Sequence, residues 1–219
     1  MTPMRWNRLL LIIVATALSG AVLFLFGSVA LERQTDPEAD AAVPNAAKTA
    51  GTVTQPLVTF VDPVKGGAKA KNVAVVYADY ACPFCRELSA DLDRLMTAHP
   101  DSFKLVWKSL SSLHDPAAEI AAEAALCAKD QGRFWEYHER LFSTSIGSEV
   151  ELAMTAKDLG LNEDSFSRCL GNHENKPLVE RTIAEAVALG IDGTPYLFIN
   201  GERYSGRLSY ERLEELLGK

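Results

Sequence analysis

The chain has 219 residues, 47% apolar and 23% charged, with 22 basic against 29 acidic side chains and a net charge of −7. That length holds one ordinary domain plus extras, and the composition excludes wholesale disorder, collagen and coiled coil. An acidic chain with no Lys/Arg block has no electrostatic footprint for nucleic acid, and four cysteines are too few for a disulfide-dense mini-scaffold.

Arg5 and Arg8 precede a run from Leu9 to Leu31 that holds no charged side chain. As a helix rising 1.5 Å per residue this run spans about 34 Å, enough to cross a hydrocarbon core of about 30 Å. Charge is basic before the run and acidic after it, at Glu32, Asp36, Glu38 and Asp40, which predicts a cytoplasmic N-terminus and an exported remainder. We read residues 1–31 as an uncleaved membrane anchor. A cleaved signal sequence, with Ser28-Val29-Ala30 as its processing site, is the competing reading, although the run is longer than such a peptide needs. Residues 32–52 carry Ala, Pro, Thr and acids without an apolar period and read as a flexible linker. The folded unit is then residues 53–219. Without Arg5 and Arg8 the exported part keeps 20 basic against 29 acidic residues, a net charge of −9.

Within that unit Leu57–Val61 is a short strand candidate, followed by a Pro/Gly/Lys loop. Val73–Ala78 (VAVVYA) is a continuous apolar, β-branched run, as expected of a strand buried on both faces. Asp79-Tyr80-Ala81-Cys82-Pro83-Phe84-Cys85 follows it, and then Arg86–His99 with Leu88, Leu92, Leu95 and Met96 on one helix face. Phe103–Leu110 reads as a strand. Asp115-Pro116 opens a helical stretch of roughly seventy residues: Ala117–Lys129, Gly132–Ser143, Glu149–Leu159 ending at Gly160, Glu163–Leu170 ending at Gly171, and Leu178–Leu189 ending at Gly190. The β pattern returns at Tyr196–Asn200, turns at Asn200-Gly201, continues at Arg203–Ser205 and closes with a helix at Tyr210–Leu217. The fold class is therefore α/β, a small mixed sheet split by a helical insertion at about residues 115–190.

Cys82 stands between a buried strand and a helix, at or next to the N-cap. Pro83 fits the first helical position because its missing N–H is one the helix leaves unpaired. The remaining early N–H groups and the positive end of the helix dipole face the Cys82 sulfur and favour thiolate over thiol. Cys85 lies one turn on along the same face, within reach for a disulfide, and stabilising the reduced pair makes the oxidised pair a stronger oxidant. Phe84 adds apolar surface useful against an unfolded client. A zinc site would want a second C-x-x-C or a His pair, and Cys127 and Cys169 are isolated singles; no metal and no dissociable cofactor are expected. The second element is Gly193-Thr194-Pro195-Tyr196, directly before a strand. Proline at a strand start belongs at an edge or tight turn, and a cis bond there would present the backbone of Thr194 to an extended client.

The segments Asp79–Arg86 (DYACPFCR), Gln131–His138 (QGRFWEYH) and Gly193–Gly201 (GTPYLFING) resemble the DsbA-like thioredoxin-fold family of exported thiol-disulfide oxidoreductases. The resemblance implies a thioredoxin fold with an all-helical insertion, Cys82 as the attacking, client-linked cysteine and Cys85 as the resolving one. It further implies a cis Pro195 lying against that pair and Thr194 contacting the client backbone. Expected partners are exported proteins with cysteine thiols and a membrane redox partner that reoxidises Cys82–Cys85; a monomer is expected because the family's dimeric relatives carry an extra N-terminal domain. Oxidation of client cysteine pairs is the leading activity. A disulfide isomerase or reductase of the same fold, or a non-catalytic metal- or partner-binding module, are the alternatives. One departure stands out: many family members carry a buried acid six residues before the first cysteine, where this chain has Val76. The nearest carboxylate, Asp79, is expected to cap the active-site helix. Cys127 and Cys169, both in the insertion of an exported domain, are expected to pair. His138 reads as a packing residue.

Overall fold

The computed structural model of the chain describes residues 53–67, 69–111, 115–144 and 147–218. The chain divides into two units, Met1–Ala50 and Gly51–Lys219, and the described residues belong to the second. The anchor read at 1–31 and the linker at 32–52 lie outside them; among the described residues no helix is long and apolar enough to cross a membrane.

Among the described residues five strands, β1 (Val64–Gly66), β2 (Asn72–Ala78), β3 (Phe103–Ser109), β4 (Tyr196–Ile199) and β5 (Glu202–Ser205), form one sheet in the order β1-β3-β2-β4-β5. Among the described strands only β2 and β3 run parallel, with Val76 opposite Trp107 and Tyr77 opposite Lys108. Their crossover is α1 (Pro83–Ala98). β4 returns antiparallel to β2, placing Leu197 beside Val76 and Tyr196 beside Tyr77. The hairpin to β5 turns at Asn200 and Gly201, both at positive φ (51° and 87°), which the Asn-Gly dipeptide tolerates. Among the described residues five helices, α2 (Pro116–Lys129), α3 (Phe134–Ser143), α4 (Glu149–Asp158), α5 (Glu163–Gly171) and α6 (Lys176–Leu189), stand between β3 and β4, and α7 (Tyr210–Leu217) follows β5. This is a thioredoxin fold with a mixed sheet and a helical insertion.

The side-chain alternation of period two sends β2 into two cores. Ala74, Val76 and Ala78 join Leu105, Trp107 and Leu197, with Cys85, Leu88 and Leu92 of α1 and Leu213 of α7, in the larger one. Val75 and Tyr77 face the opposite side with Val106, Phe198, Ala186 and Leu189. Burial on both faces explains the unbroken apolar run of β2.

Two sequence expectations are corrected. Leu57–Val61 is not a strand, and the first strand is Val64–Gly66, inside the segment read as a loop. The backbone of the earlier segment finds side-chain partners instead of a ladder: the Leu57 N–H donates to Glu185, the Leu57 carbonyl accepts from Lys108 Nζ at 2.7 Å, and the Thr59 N–H donates to Asp62 Oδ2 at 2.6 Å. Leu57 and Phe60 project outward, Phe60 almost fully exposed. The second correction is at Gly171, which is the last residue of α5 and not its cap. The chain reverses two residues later, where His173 takes the left-handed position at φ 52°.

Candidate active site

The turn from β2 into α1 builds the site from backbone outward. Asp79 Oδ1 accepts from the Ala81 N–H at 2.7 Å, and the Asp79 carbonyl accepts from the Cys82 N–H at 3.1 Å. Asp79 therefore folds the turn that precedes the helix and does not cap it, a correction to the expected role. The N-cap is Cys82 itself, with extended dihedrals (φ −84°, ψ 119°) and Pro83 as the first helical residue. Its sulfur accepts from the Cys85 N–H at 3.4 Å, the place a capping oxygen takes in other helices. On its other side Cys82 Sγ donates to the Thr194 carbonyl at 3.5 Å. The Thr194-Pro195 peptide is cis.

The two sulfurs are free thiols in unequal surroundings: Cys82 is half-buried and Cys85 has no exposed surface. Burial pushes the Cys85 thiol well above its ordinary range, reinforced by the neighbouring Cys82; the Asp79 backbone N–H, 3.5 Å from Cys85 Sγ, and the Thr194 hydroxyl pull the other way. Phe84 stands 58% exposed beside the pair. Thr194 also borders a recess of about 260 Å³ walled by Leu110, Ile183, Val187 and Ile191 together with Ser111, Asp79 and Asp192. The arrangement suits attack at Cys82 by an incoming sulfur, with Cys85 withheld from solvent as the second thiol.

Val76 is fully buried in the same core as Cys85, so the position where the resemblance implies an acid is filled here by an aliphatic side chain. Buried charge stands instead on the opposite face of the sheet. Lys108 of β3 pairs with Glu185 at 2.9 Å and Asp62 at 3.2 Å, its ammonium almost fully enclosed. Neither this cation nor its acids stood out in the sequence, because Lys108 sits in an otherwise ordinary strand run.

Two further features lie in the helical insertion, the first of them the expected cysteine pairing. Cys127 of α2 and Cys169 of α5 are joined by a disulfide of 2.02 Å, and Asn175 Nδ2 lies 3.4 Å from one sulfur and 3.8 Å from the other. His138 of α3 is buried in the larger core, hydrogen-bonded to the Tyr80 hydroxyl at 3.1 Å and the Ser89 hydroxyl at 2.8 Å. The only advance signal was its place in the helical phrase QGRFWEYH. Among the described residues no group of three or more His, Cys, Asp or Glu side chains converges as a metal site would require.

Residues 58–219 match the family model described as Thioredoxin. Among curated proteins, the chain is 32% identical over 164 residues to the Na(+)/H(+) antiporter NhaA 3 of Salinispora tropica, covering 72% of this chain and 25% of that protein. It is also 32% identical over 152 residues to the Na(+)/H(+) antiporter NhaA of Herminiimonas arsenicoxydans, covering 69% and 24%. The match thus spans about a quarter of the length of these relatives. Among solved structures, a thioredoxin-like oxidoreductase from Silicibacter pomeroyi is 28% identical with a TM-score of 0.65, over 72% of this chain and 91% of that one. BdbD from Bacillus subtilis is 20% identical with a TM-score of 0.66, over 76% and 96%, and shows the shared fold. So does the thiol-disulfide exchange protein α-DsbA2 from Wolbachia pipientis, 23% identical with a TM-score of 0.62, over 71% and 85%.

Proposed function

This chain belongs to the thioredoxin family, and from that premise we propose that it is a membrane-anchored, extracytoplasmic thiol-disulfide oxidoreductase that oxidises cysteine pairs in exported proteins. The observation that carries the reading is the asymmetry of the pair: Cys82 at the helix N-cap and open to a client, Cys85 sealed beneath it, and the Thr194 carbonyl 3.5 Å from Cys82 Sγ. The closed Cys127–Cys169 disulfide supports an oxidising compartment, since such bonds are rare in the reducing cytosol.

In the forward direction a client thiolate attacks Cys82 Sγ of the oxidised pair. The Cys82–Cys85 bond breaks, a mixed disulfide between client and Cys82 forms, and Cys85 departs as a thiolate that takes up a proton, the form its burial favours. A second client thiolate attacks the client sulfur of the mixed disulfide, releasing the client disulfide and the Cys82 thiolate. Two electrons pass from the client to the pair, and a membrane redox partner accepts them to restore the disulfide. Phe84 and the Thr194 backbone supply the apolar and main-chain contacts for an extended client. Membrane attachment is proposed through residues 1–31, and the domain works as a monomer without a dissociable cofactor. The antiporter relatives are matched over only a quarter of their length, and ion transport is not carried to this chain.

Cys82→Ser removes the attacked sulfur and is expected to abolish dithiol exchange with a reduced, unfolded client, whereas Cys85→Ser, offered a client that already carries a disulfide, attacks it through Cys82, releases one client thiolate and accumulates the mixed disulfide because no second thiol resolves it. Full exchange activity in the Cys82→Ser protein rejects the proposal. Titration against glutathione separates direction: a midpoint near about −120 mV supports an oxidase and one near about −270 mV a reductase.

A further inference from the structure

His138 belongs to the helical insertion, yet both of its hydrogen bonds reach residues that flank the redox pair. Tyr80 lies two positions before Cys82, in the turn that delivers the chain to α1. Ser89 lies one helical turn after Cys85 on the same buried face of α1. Each hydroxyl can donate or accept, so a neutral imidazole satisfies both, one ring nitrogen donating and the other accepting. The ring is boxed by Trp107 of β3 and by Phe134, Trp135 and Phe142 of its own helix, with centroids at 4.3, 5.6, 5.4 and 5.0 Å. Burial, helped by Lys65, holds the imidazole far below its ordinary protonation range, at about 3, so it stays uncharged at neutral pH. Packing alone would not need a polar ring here, because a phenylalanine would fill an aromatic box without two buried nitrogens to satisfy.

We propose that His138 is a positioning residue for thiol-disulfide exchange, a buried clamp that ties the Tyr80 turn and the Ser89 turn together from opposite sides of the Cys82-Pro83-Phe84-Cys85 segment. It touches no reacting atom. It acts by holding the first turn of α1, and with it the Cys85 N–H that points at Cys82 Sγ. The insertion is thereby coupled to the redox pair as well as packed against it. The Cys85 N–H it holds faces Cys82 Sγ, a contact that stabilises a thiolate more than a disulfide sulfur, so loss of the clamp weakens the reduced form and favours the disulfide.

This inference rests on the exchange chemistry proposed above, and its test separates the two. In the purified full-length protein the equilibrium measured is Cys82–Cys85 disulfide plus two glutathione thiols going to the dithiol plus glutathione disulfide. His138→Phe keeps an aromatic ring and removes both bonds. It is expected to lower the equilibrium constant for reduction about fivefold, the worth of one ordinary buried hydrogen bond, and to slow alkylation of Cys82 by a similar factor. The double variant Tyr80→Phe/Ser89→Ala leaves His138 in place and should reproduce both shifts; it carries the test if His138→Phe does not fold. Phe166→Leu, a core change elsewhere in the insertion, lowers stability in both redox forms and leaves both readings unmoved. The clamp is overturned if the His138 and hydroxyl variants lose stability while the glutathione equilibrium and the Cys82 alkylation rate stay at the parent values. A parent protein whose pair does not exchange with glutathione overturns the functional reading instead, and the alkylation rates then decide the clamp alone.

Discussion

The molecule carries two cysteine pairs in two regions, and they are built on opposite plans. Cys82 and Cys85 are three residues apart on one helical turn, are free thiols, and differ sharply in exposure. Cys127 and Cys169 are 42 residues apart on two helices of the insertion, are closed into a disulfide, and are both buried, with Asn175 against their sulfurs. A sulfur that must be attacked needs a solvent-facing side and a partner that can wait out of reach. One that only ties two helices together needs neither. Exposure difference within a pair, rather than the presence of a pair, separates exchange chemistry from a structural crosslink.

The sharpest way to break this comparison is differential alkylation of the native protein with only the first pair reduced. Cys82 is expected to react about 10³-fold faster than Cys85, and Cys127 and Cys169 to remain unmodified until the protein is unfolded and reduced; reactivity is governed by thiolate character and access. Comparable rates at Cys82 and Cys85, read by peptide mass mapping, would remove the distinction. Next in size is Cys127→Ala/Cys169→Ala. Releasing that 42-residue link should cost about 2–4 kcal/mol in denaturant unfolding while the exchange rate at Cys82 is retained; a large loss of exchange would mean that the second pair also belongs to the chemistry.

Acid titration of stability tests the join between the regions. His138 is held neutral down to about 3 in the folded chain against an ordinary value of 6.5. Between those values the unfolded chain binds a proton that the folded chain does not. This residue therefore contributes stability that is present above 6.5 and is lost as pH falls, at up to about 1.4 kcal/mol per pH unit. His138→Phe should flatten that part of the pH–stability curve, and an unchanged slope would count against a buried neutral imidazole. The smallest expected effect is at the exposed edge of the redox pair. Phe84→Ala should raise KM for an unfolded client about threefold, consistent with about 0.7 kcal/mol of lost apolar contact, and leave exchange with a small dithiol unchanged.

Most of the redox turn was readable in advance because its determinants are local. A proline at the first helical position, a cysteine before it and a β-branched run upstream leave few ways to arrange the segment, and the structure puts Cys82 at the N-cap with Pro83 next. The hairpin at Asn200-Gly201 was legible for the same reason, since two consecutive positive φ values are tolerated by few residue pairs. The misplaced first strand arose where partners are remote. Leu57–Val61 has strand-like residues, yet its backbone is claimed by Lys108 and Glu185, 51 and 128 residues away from Leu57. Asp79 was assigned to the helix because it is the nearest acid, but its carboxylate is taken by the Ala81 N–H two residues on. His138 shows no sequence feature that separates a packing histidine from one bonded at both nitrogens.

What the amino-acid order determined by itself is the alternation of elements, the placement of Cys82 at a strand–helix junction and the run that must be buried on both sides. These follow from steric and hydrogen-bonding preferences spanning a few residues. Tertiary structure alone decided which sulfur is sealed, which carbonyl approaches the other, that Lys108 is neutralised inside the fold and that a histidine from the insertion grips the redox turn. Each of those depends on surfaces brought together from distant parts of the chain, where burial sets the strength of every charge and hydrogen bond.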